Sequence, residues 1–545
     1  MNAVDLPTHQ RAIQLIGPDQ LVLNETKPVI RPGPHQVLCK VEACGLCFSD
    51  LKLLRQFAAH PRKSQITAGI DTSALEQMPH YVPGDKPTVP GHEAVVRIVA
   101  VGPNVTRFKP GARYLVQTDY RWLPTAGSNS AFGYNFEGAL QQFVLMDERV
   151  ITSPEGESML IAAPEDLSAS AIALCEPWAC VEDAYAEKQR RTIRFGGKCL
   201  VVGSDESLVK TQQKAITALT SAAVQPPRVT LCKPDALPAG QFDDVIYLGS
   251  DAAVAERLFE NLAPGGLFVI LQCGARFGRN VVTPIGRVHY GGIRIVGSTG
   301  ADLQAALKII PETVEVRPGE KINIIGAAGP MGTMHVIRDL CQGVPGISVF
   351  AGDVNDHRLA MLHKLAAPLA TKNKLELRTY NPAKEQLAEK FSYVVVLVPS
   401  AQLVAQAVRQ AAQGAILNIF AGIPANVTAE LDLDTYIARG CYFVGTSGST
   451  LDDMKTVLEK VKTGTLDTNL SVAAVTGLDG AIDGIRAVER NLLPGKIVVY
   501  PFATGLQLTP LTELHRTYPT VARALNNGCW TMAAEAELER IFSVK

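Results

Sequence analysis

The sequence lacks the features that mark several classes of protein. Its 545 residues carry a formal net charge of only −1, so it has no basic footprint for nucleic acid. No apolar run approaches the roughly 18–20 residues that a membrane-spanning helix needs. The first ten residues have neither the charge nor the apolar stretch of a secretory signal. We therefore expect neither a nucleic-acid partner nor a membrane partner.

Cysteines are present but form no paired framework. There are eleven of them, an odd number, and they are scattered along the chain. Reduced thiols are typical of a cytoplasmic protein, which is the location we expect. An apolar fraction of 47% and a charged fraction of 19% describe a soluble globular protein with ample core. The length predicts about three domains.

The pattern of the chain changes near residue 190. Before it, β-branched runs bounded by glycine and proline predict a β-rich region, which ends in a helical stretch beginning near residue 168. After it, strand and helix patterns alternate, as they do in a parallel sheet. The predicted fold class is therefore α/β.

The second half contains a repeat. Segments 263–274 and 411–422 both read as a glycine turn followed by a strand, while 291–310 and 440–461 both read as a strand, a small-residue turn and an amphipathic helix. Three pairs of glycines keep the same separation of 148 residues, namely Gly266 and Gly414, Gly274 and Gly422, and Gly297 and Gly445. We predict two tandem doubly wound, Rossmann-like units.

The second of these units carries a dinucleotide-binding turn. Gly326, Gly329 and Gly332 follow the strand "KINII" and open a helix, where backbone N–H groups can reach a pyrophosphate. Asp353 ends the next strand, where a carboxylate accepts hydrogen bonds from ribose hydroxyls and repels a 2′-phosphate, which favours NAD over NADP. The predicted cofactor-binding residues are Gly326, Ala328, Gly329, Pro330, Met331, Gly332, Asp353 and Arg358. The alternatives are NADP as the cofactor and a turn that packs without binding phosphate.

The first unit has lost this turn. After Gly203 the chain reads Ser204-Asp205-Glu206, which places two carboxylates where a pyrophosphate would come. The separation of Gly203 from Gly326 is 123 residues rather than 148, so the first copy is about 25 residues shorter. We expect this degenerate copy to bind no dinucleotide.

Several segments carry a family resemblance. "VEACGLCFSDLK" (41–52) and "VPGHEAVV" (89–96) resemble the two zinc-binding stretches of the medium-chain zinc-dependent alcohol and polyol dehydrogenases. "AIALCEPWACVEDAY" (171–185) resembles a segment of the polyol dehydrogenase branch, and "LLPGKIVVYP" (492–501) matches the family framework. More narrowly, "CFSDLK", "GPMGTMHV" and the C-terminal tail look like relatives of L-sorbose-1-phosphate reductase.

The resemblance implies a domain plan. A β-rich GroES-like catalytic domain is expected over 1–190, a degenerate Rossmann-like repeat over 191–312 and an NAD-binding Rossmann domain over 313–470. Residues 471–545 are expected to return to the catalytic domain. Subunits of this family commonly pair through the last strands of their dinucleotide domains. The first repeat is therefore either an internal pseudo-subunit, in a chain that could also form a homo-oligomer, or a part that reshapes the active-site entrance.

The resemblance also implies a zinc site. Cys47, His92 and Glu176 fall on the ligand positions, and Glu93 on a carboxylate that either ligates or exchanges with water. Three protein ligands and one open position are the pattern of a catalytic zinc. Ser49 falls where the family's hydroxyl relays the alcohol proton, although a surface or capping serine is the alternative.

Three departures from the family bear on this site. The stretch 117–136 lacks the four closely spaced cysteines of a structural zinc, so one zinc is expected. Lys52 replaces a histidine and either meets a substrate phosphate or is solvated. An insertion over 55–86 contains Arg55, His60, Arg62 and Lys63. It either binds an anionic substrate or serves as a lid or an oligomer contact.

The expected activity is hydride transfer between NAD(H) and a secondary alcohol or ketone of a polyol, sugar or sugar phosphate, with one catalytic zinc. Two other functions remain open from the sequence. One is a zinc-free NADPH-dependent quinone or enone reductase of the same fold. The other is a non-catalytic cofactor-binding protein.

Overall fold

The computed structural model describes residues 6–221, 225–446 and 448–543. The first five residues of the N-terminal segment, and Ser447 in the repeat segment 440–461, therefore lie outside the described residues. The chain divides into two compact units, which we call unit 1 (Met1–Ala179 with Ser449–Lys545) and unit 2 (Cys180–Gly448). Every helix in the described part of the chain is too short or too polar to cross a membrane.

The strands of the described residues are, in chain order, β1 His9–Gly17, β2 Gln20–Pro28, β3 Gln36–Gly45, β4 Glu93–Val101, β5 Arg113–Val116, β6 Asp119–Pro124, β7 Asn129–Ala131, β8 Phe143–Asp147, β9 Leu160–Ala162, β10 Lys198–Gly203, β11 Arg228–Cys232, β12 Phe242–Leu248, β13 Leu262–Leu271, β14 Val281–Thr283, β15 Arg294–Ser298, β16 Lys321–Ile325, β17 Ser348–Gly352, β18 Glu376–Tyr380, β19 Phe391–Val396, β20 Ala411–Ile419, β21 Ala429–Leu431, β22 Tyr442–Val444, β23 Val472–Thr476, β24 Lys496–Val499 and β25 Thr509–Pro510.

The α-helices are α1 Asp50–Gln56, α2 Thr72–Leu75, α3 Ala169–Ala173, α4 Cys175–Ala186, α5 Glu206–Leu219, α6 Ala252–Leu258, α7 Gly286–His289, α8 Leu303–Leu307, α9 Pro330–Cys341, α10 Asp356–Asn373, α11 Ala401–Gln410, α12 Leu433–Ala438, α13 Leu451–Lys462, α14 Ala481–Glu489, α15 Leu514–Thr517, α16 Pro519–Arg523 and α17 Met532–Ser543. Short 3₁₀ turns cover Phe57–Ala59, Pro61–Lys63, Thr468–Ser471, Leu478–Gly480 and Leu511–Glu513.

Unit 1 is organised around a mostly antiparallel sheet of eight strands. Its order is β25-β23-β24-β3-β4-β5-β9, and β8 pairs with β3. Strands β3 and β4 run antiparallel, and Gly45 at the end of β3 lies opposite Glu93 at the start of β4. Because of this register, the loop that carries Cys47 emerges beside His92. The sheet thereby brings together residues that lie more than 40 positions apart.

Unit 2 contains two parallel sheets, as the repeat predicts. Their orders are β11-β10-β12-β13-β15 and β18-β17-β16-β19-β20-β22. The central strand β13 ends in the apolar run LFVIL, and β20 ends in AILNI, where Asn418 is the one polar residue; such strands suit a sheet covered on both faces. Among the described residues, the first sheet lacks a counterpart of β18. The missing stretch matches the α10–β18 step, residues 356–380, whereas the first crossover through α5 to β11 is retained.

The two repeats pair with each other about a local twofold. Strands β14 and β21 are antiparallel, and Val282 lies opposite Glu430. These two residues are equivalent in the repeat, since 148 positions separate them. The edge strands β15 and β22 also lie beside one another, and the Tyr436 hydroxyl of α12 donates to the Ile295 carbonyl at 2.8 Å. A single hydrophobic core contains buried residues from both repeats.

A buried polar network crosses unit 2 between α4 and α9. Arg338 is 2% exposed and makes paired hydrogen bonds to Glu182 and to Glu315. The Tyr185 hydroxyl donates to Asp339 at 3.2 Å, and the Arg338 guanidinium lies 3.9 Å from the centre of the Tyr185 ring. Oδ1 of Asp339 is buried without a hydrogen-bond partner among the described residues.

Asp339 makes the stability of unit 2 depend on pH. Burial raises the pKa of its carboxyl to about 8, against a partial lowering by Arg338. An unfolded aspartate has a pKa near ~3.9, so the unfolded chain loses its proton at lower pH than the folded one. This site therefore reduces folded-state stability progressively as pH rises from about 4 to about 8. The contribution of this site to folded-state stability is fully present only below that window.

We expect Asp339→Asn to weaken this decline, because an amide does not titrate. The melting temperature of the wild type, followed by circular dichroism from pH 5 to pH 9, should fall more steeply than that of the variant. Near pH 8 the free energy of unfolding of the variant should exceed that of the wild type by on the order of 2 kcal/mol. Parallel curves for the two proteins would contradict the assignment.

Candidate active site

Unit 1 brings together three of the predicted metal ligands. The Sγ of Cys47, a ring nitrogen of His92 and a carboxylate oxygen of Glu93 all lie within 4.8 Å of one another. His92 and Glu93 are buried, while Cys47 is partly exposed. Thiolate, imidazole and carboxylate are all ligand types that zinc accepts. The spacing and chemistry of these donors therefore fit one zinc ion.

Asp50 orients two of these residues. Its Oδ1 lies 3.0 Å from Nδ1 of His92, and its Oδ2 accepts a hydrogen bond from the backbone N–H of Cys47 at 3.2 Å. A proton held on Nδ1 leaves Nε2 as the ligand nitrogen. Burial lowers the pKa of His92, but the charges of Asp50, Tyr134 and Cys47 outweigh it and leave that pKa well above its usual range.

Ser49 lies between the thiol and the imidazole. Its hydroxyl donates to Sγ of Cys47 at 3.1 Å and lies 3.2 Å from Nε2 of His92. A hydroxyl so placed can exchange a proton with a substrate group that approaches the same two residues.

A buried lysine, Lys496, pairs with Glu93. Nζ of Lys496 lies 2.5 Å from Oε1 of Glu93 and also donates to the Leu46 carbonyl at 2.7 Å. The other oxygen, Oε2, is buried without a hydrogen-bond partner among the described residues. A Cβ added to Gly45 would collide with it. One oxygen of Glu93 is thus satisfied and the second is left to a ligand.

Glu176 lies outside this group of three. It begins α4 and is 6% exposed. Burial raises its pKa to about 7, while His92 and Lys496 oppose that shift and the charge of Glu93 adds to it. Its role as a metal ligand stays a prediction. The neighbouring Cys175 instead donates its thiol to the Ala171 carbonyl at 3.3 Å.

The glycine turn of the second repeat leads from β16 into α9. Gly326 has a φ of +86°, and a Cβ on Gly332 would collide with the Gly326 carbonyl oxygen. Gly329 is the N-cap of α9, and an added Cβ there would meet only the Gly326 oxygen, at 3.7 Å. Pro330 is the first helical residue, so it withdraws no needed N–H. The open helix start fits a pyrophosphate.

The other predicted cofactor residues lie at this turn or in the first turn of α10. Asp353, after β17, accepts from the backbone N–H groups of Ala328 at 3.2 Å and of Asn355 at 3.0 Å. Met331 follows Pro330 in the first turn of α9. Arg358 lies in the first turn of α10, where its backbone N–H donates to the Asn355 side chain at 3.1 Å.

The first repeat fills the equivalent place with its own charge. Asp205 is the N-cap of α5, and its carboxylate accepts from the N–H groups of Ser207 at 2.8 Å and of Leu208 at 3.2 Å. The helix start is therefore already capped by an anion. Glu206 adds a second negative charge in the same turn.

Sequence reasoning overlooked some of these residues. Asp50 follows Cys47 closely in the sequence, but the motif alone does not reveal its contact with His92. Lys496 sits in the fully buried strand "KIVV", and a lone lysine in an apolar run is a usable signal of a buried partner. For Tyr134, whose ring lies 5.8 Å from that of His92, the sequence offers no signal.

Part of the chain matches a known protein family. Residues 33–155 match the alcohol dehydrogenase GroES-like domain family. The chain is 27% identical over 271 residues to the uncharacterized protein YggP of Escherichia coli strain K12, which covers 46% of this chain and 63% of that protein. It is 25% identical over 254 residues to L-sorbose 1-phosphate reductase of Klebsiella pneumoniae, covering 45% and 60%. The chain thus spans less than two thirds of the length of each of these two relatives.

A solved structure extends the likeness to most of the chain. 2R,3R-butanediol dehydrogenase from Bacillus subtilis superposes with a TM-score of 0.53 and 14% identity, covering 90% of this chain and 99% of that one. At this identity the likeness concerns the fold alone. The predicted α/β class, with a GroES-like domain and Rossmann-like sheets, and the resemblance to medium-chain zinc-dependent dehydrogenases are confirmed.

Proposed function

We propose that this relative of the medium-chain zinc-dependent alcohol dehydrogenases is an oxidoreductase that uses zinc and NAD(H). Its substrate would be a secondary alcohol or ketone of a polyol, sugar or sugar phosphate. The observation that carries the proposal is the group formed by Cys47, His92 and Glu93, whose ligand atoms lie within 4.8 Å of one another. The open phosphate turn at Gly329 supports the cofactor.

In this proposal the side chains divide the work. Cys47, His92 and one carboxylate, from Glu93 or Glu176, would hold the zinc, which polarises a carbonyl or acidifies an alcohol when bound. Asp50 keeps His92 oriented, and Ser49 takes the proton of the substrate hydroxyl. A bound NAD would accept the hydride from the same carbon, which would balance the oxidation of the alcohol to a ketone.

Zinc content and cofactor turnover of the purified protein test the proposal together. We expect close to one zinc per chain by elemental analysis, and NAD-dependent oxidation of some members of a polyol panel that includes phosphates. Absence of zinc from metal-replete preparations would point to a zinc-free NADPH reductase. Zinc and NAD binding without turnover across the panel would point to a non-catalytic protein.

Asp353 should set the choice between NAD and NADP. Its carboxylate would repel a 2′-phosphate, so Asp353→Ser is expected to lower the NAD/NADP ratio of kcat/KM by about tenfold or more. Asp356→Ser is the matched control, because it removes the same charge from the exposed start of α10. An unchanged ratio in the Asp353 variant would overturn the assignment.

A further inference from the structure

The insertion 55–86 contains several basic residues, but some of their charges already have partners within unit 1. The Arg55 guanidinium pairs with Glu489 at 3.1 Å. Lys63 is fully buried, and its Nζ donates to the carbonyl oxygens of Val82 and Lys86. Both cations are therefore occupied by contacts within unit 1.

His60 adds no positive charge near neutral pH. Burial lowers its pKa to about 4, and the charges of Arg62 and Lys52 lower it further. Its Nδ1 accepts a hydrogen bond from the backbone N–H of Arg62 at 3.2 Å, which fixes the turn that presents the Arg62 side chain.

The insertion is hydrogen-bonded to the β6–β7 hairpin and to the loop that follows it. The Thr125 hydroxyl donates to the Pro61 carbonyl at 2.8 Å, and the Asn135 amide donates to the Ser64 carbonyl at 3.1 Å. The Thr67 N–H donates to the Pro124 carbonyl at 2.8 Å. These hydrogen bonds to backbone carbonyls hold the segment in a fixed position within unit 1.

Arg62 belongs to this segment, and the ring of Tyr134 lies between it and His92. Its guanidinium forms a forked ion pair with Asp119 and lies 5.5 Å from the centre of the Tyr134 ring. That ring in turn lies 5.8 Å from the ring of His92. The Arg62 and Asp119 side chains remain 26% and 10% exposed.

The charges around Arg62 disfavour a phosphate. Burial lowers the pKa of Arg62, but Asp119, with smaller contributions from Tyr134 and Glu176, raises it on balance. Asp119 already pairs with this guanidinium, and a phosphate dianion would meet the repulsion of that carboxylate. A hydroxyl group would not, because it can donate to a carboxylate and accept from a guanidinium at the same time.

We infer that the Arg62–Asp119 pair recognises a hydroxyl group on a carbon near the reacting one, so that the substrate is an unphosphorylated polyol or sugar. This inference rests on the proposed function. It makes Arg62 and Asp119 specificity-determining residues, and it gives the insertion a role in substrate selection.

Three matched substrates test the inference: a hexitol accepted by the wild type, its terminal phosphate, and hexan-2-ol. The wild type should prefer the hexitol to both others in kcat/KM. Arg62→Met and Asp119→Asn should each lower kcat/KM for the hexitol by about 30-fold, mainly through KM, and should change hexan-2-ol less than about threefold. Asp119→Asn should also raise use of the phosphate relative to the hexitol, since it removes one repelling charge.

Arg55→Gln is the control, since it removes a basic residue of the same insertion that pairs elsewhere. It should keep the wild-type preference. Equal losses for the hexitol and hexan-2-ol in the two test variants would mean a purely structural role and overturn the inference. A wild-type preference for the phosphate, lost in Arg62→Met, would overturn it in favour of an anion site. Failure of the wild type to oxidise any alcohol would overturn the proposed function as well.

Discussion

Replacing Cys47 with serine is expected to strip zinc from the protein and to lower turnover by about 1,000-fold or more. The thiolate is the softest of the three donors, and a serine hydroxyl is a poor ligand for zinc. The zinc content by elemental analysis and kcat with the best polyol measure the two effects separately. Both should fall together.

Cys175→Ser is the matched control for this substitution. Cys175 is fully buried and donates to the Ala171 carbonyl, a contact that a serine hydroxyl can also make. It should retain both zinc and turnover. A Cys47 variant with full zinc content would remove Cys47 from the ligand set, and would leave His92, Glu93 and Glu176 to explain metal binding.

Replacing Arg338 with methionine is expected to be the most destabilising single change in unit 2. It removes the buried guanidinium that pairs with Glu182, a carboxylate that is 4% exposed. Loss of one partner of a buried ion pair costs about 3–5 kcal/mol. Over a unit of this size, this corresponds to a fall in melting temperature on the order of 10 °C.

A second substitution separates the charge from the packing. Adding Glu182→Gln to the Arg338 variant should restore part of the lost stability, because the buried carboxylate is gone. As a control, Arg378→Met breaks the ion pair of a 42%-exposed arginine with Glu385 and should cost less than about 1 kcal/mol. Equal melting temperatures for the Arg338 and Arg378 variants would contradict the importance given to the buried network.

The fold was largely predictable because it repeats. Glycines that keep a separation of 148 residues mark equivalent turns, and alternation of strand and helix patterns is a strong local signal. The position of the shortening was not accessible in the same way. It falls on the α10–β18 step, and a difference in length alone does not say which strand is lost.

The site was predictable only where a short motif carried it. Cys47 and His92 stand in recognisable segments, and the register of β3 against β4 brings them together. The Arg62–Asp119 pair joins residues 57 positions apart, across an insertion whose path follows individual hydrogen bonds. Such contacts follow no period of 2 or 3.6 residues, so no periodic pattern in the sequence predicts them.

The pairing of β14 with β21 has a consequence for behaviour at low concentration. In a noncovalent dimer, the population of paired subunits falls as the protein is diluted. Here both halves of the contact belong to one chain, so each repeat meets the other at a fixed effective concentration, in the millimolar range for short flexible tethers. The contact between the repeats is therefore independent of protein concentration. It should be as intact at nanomolar as at micromolar protein.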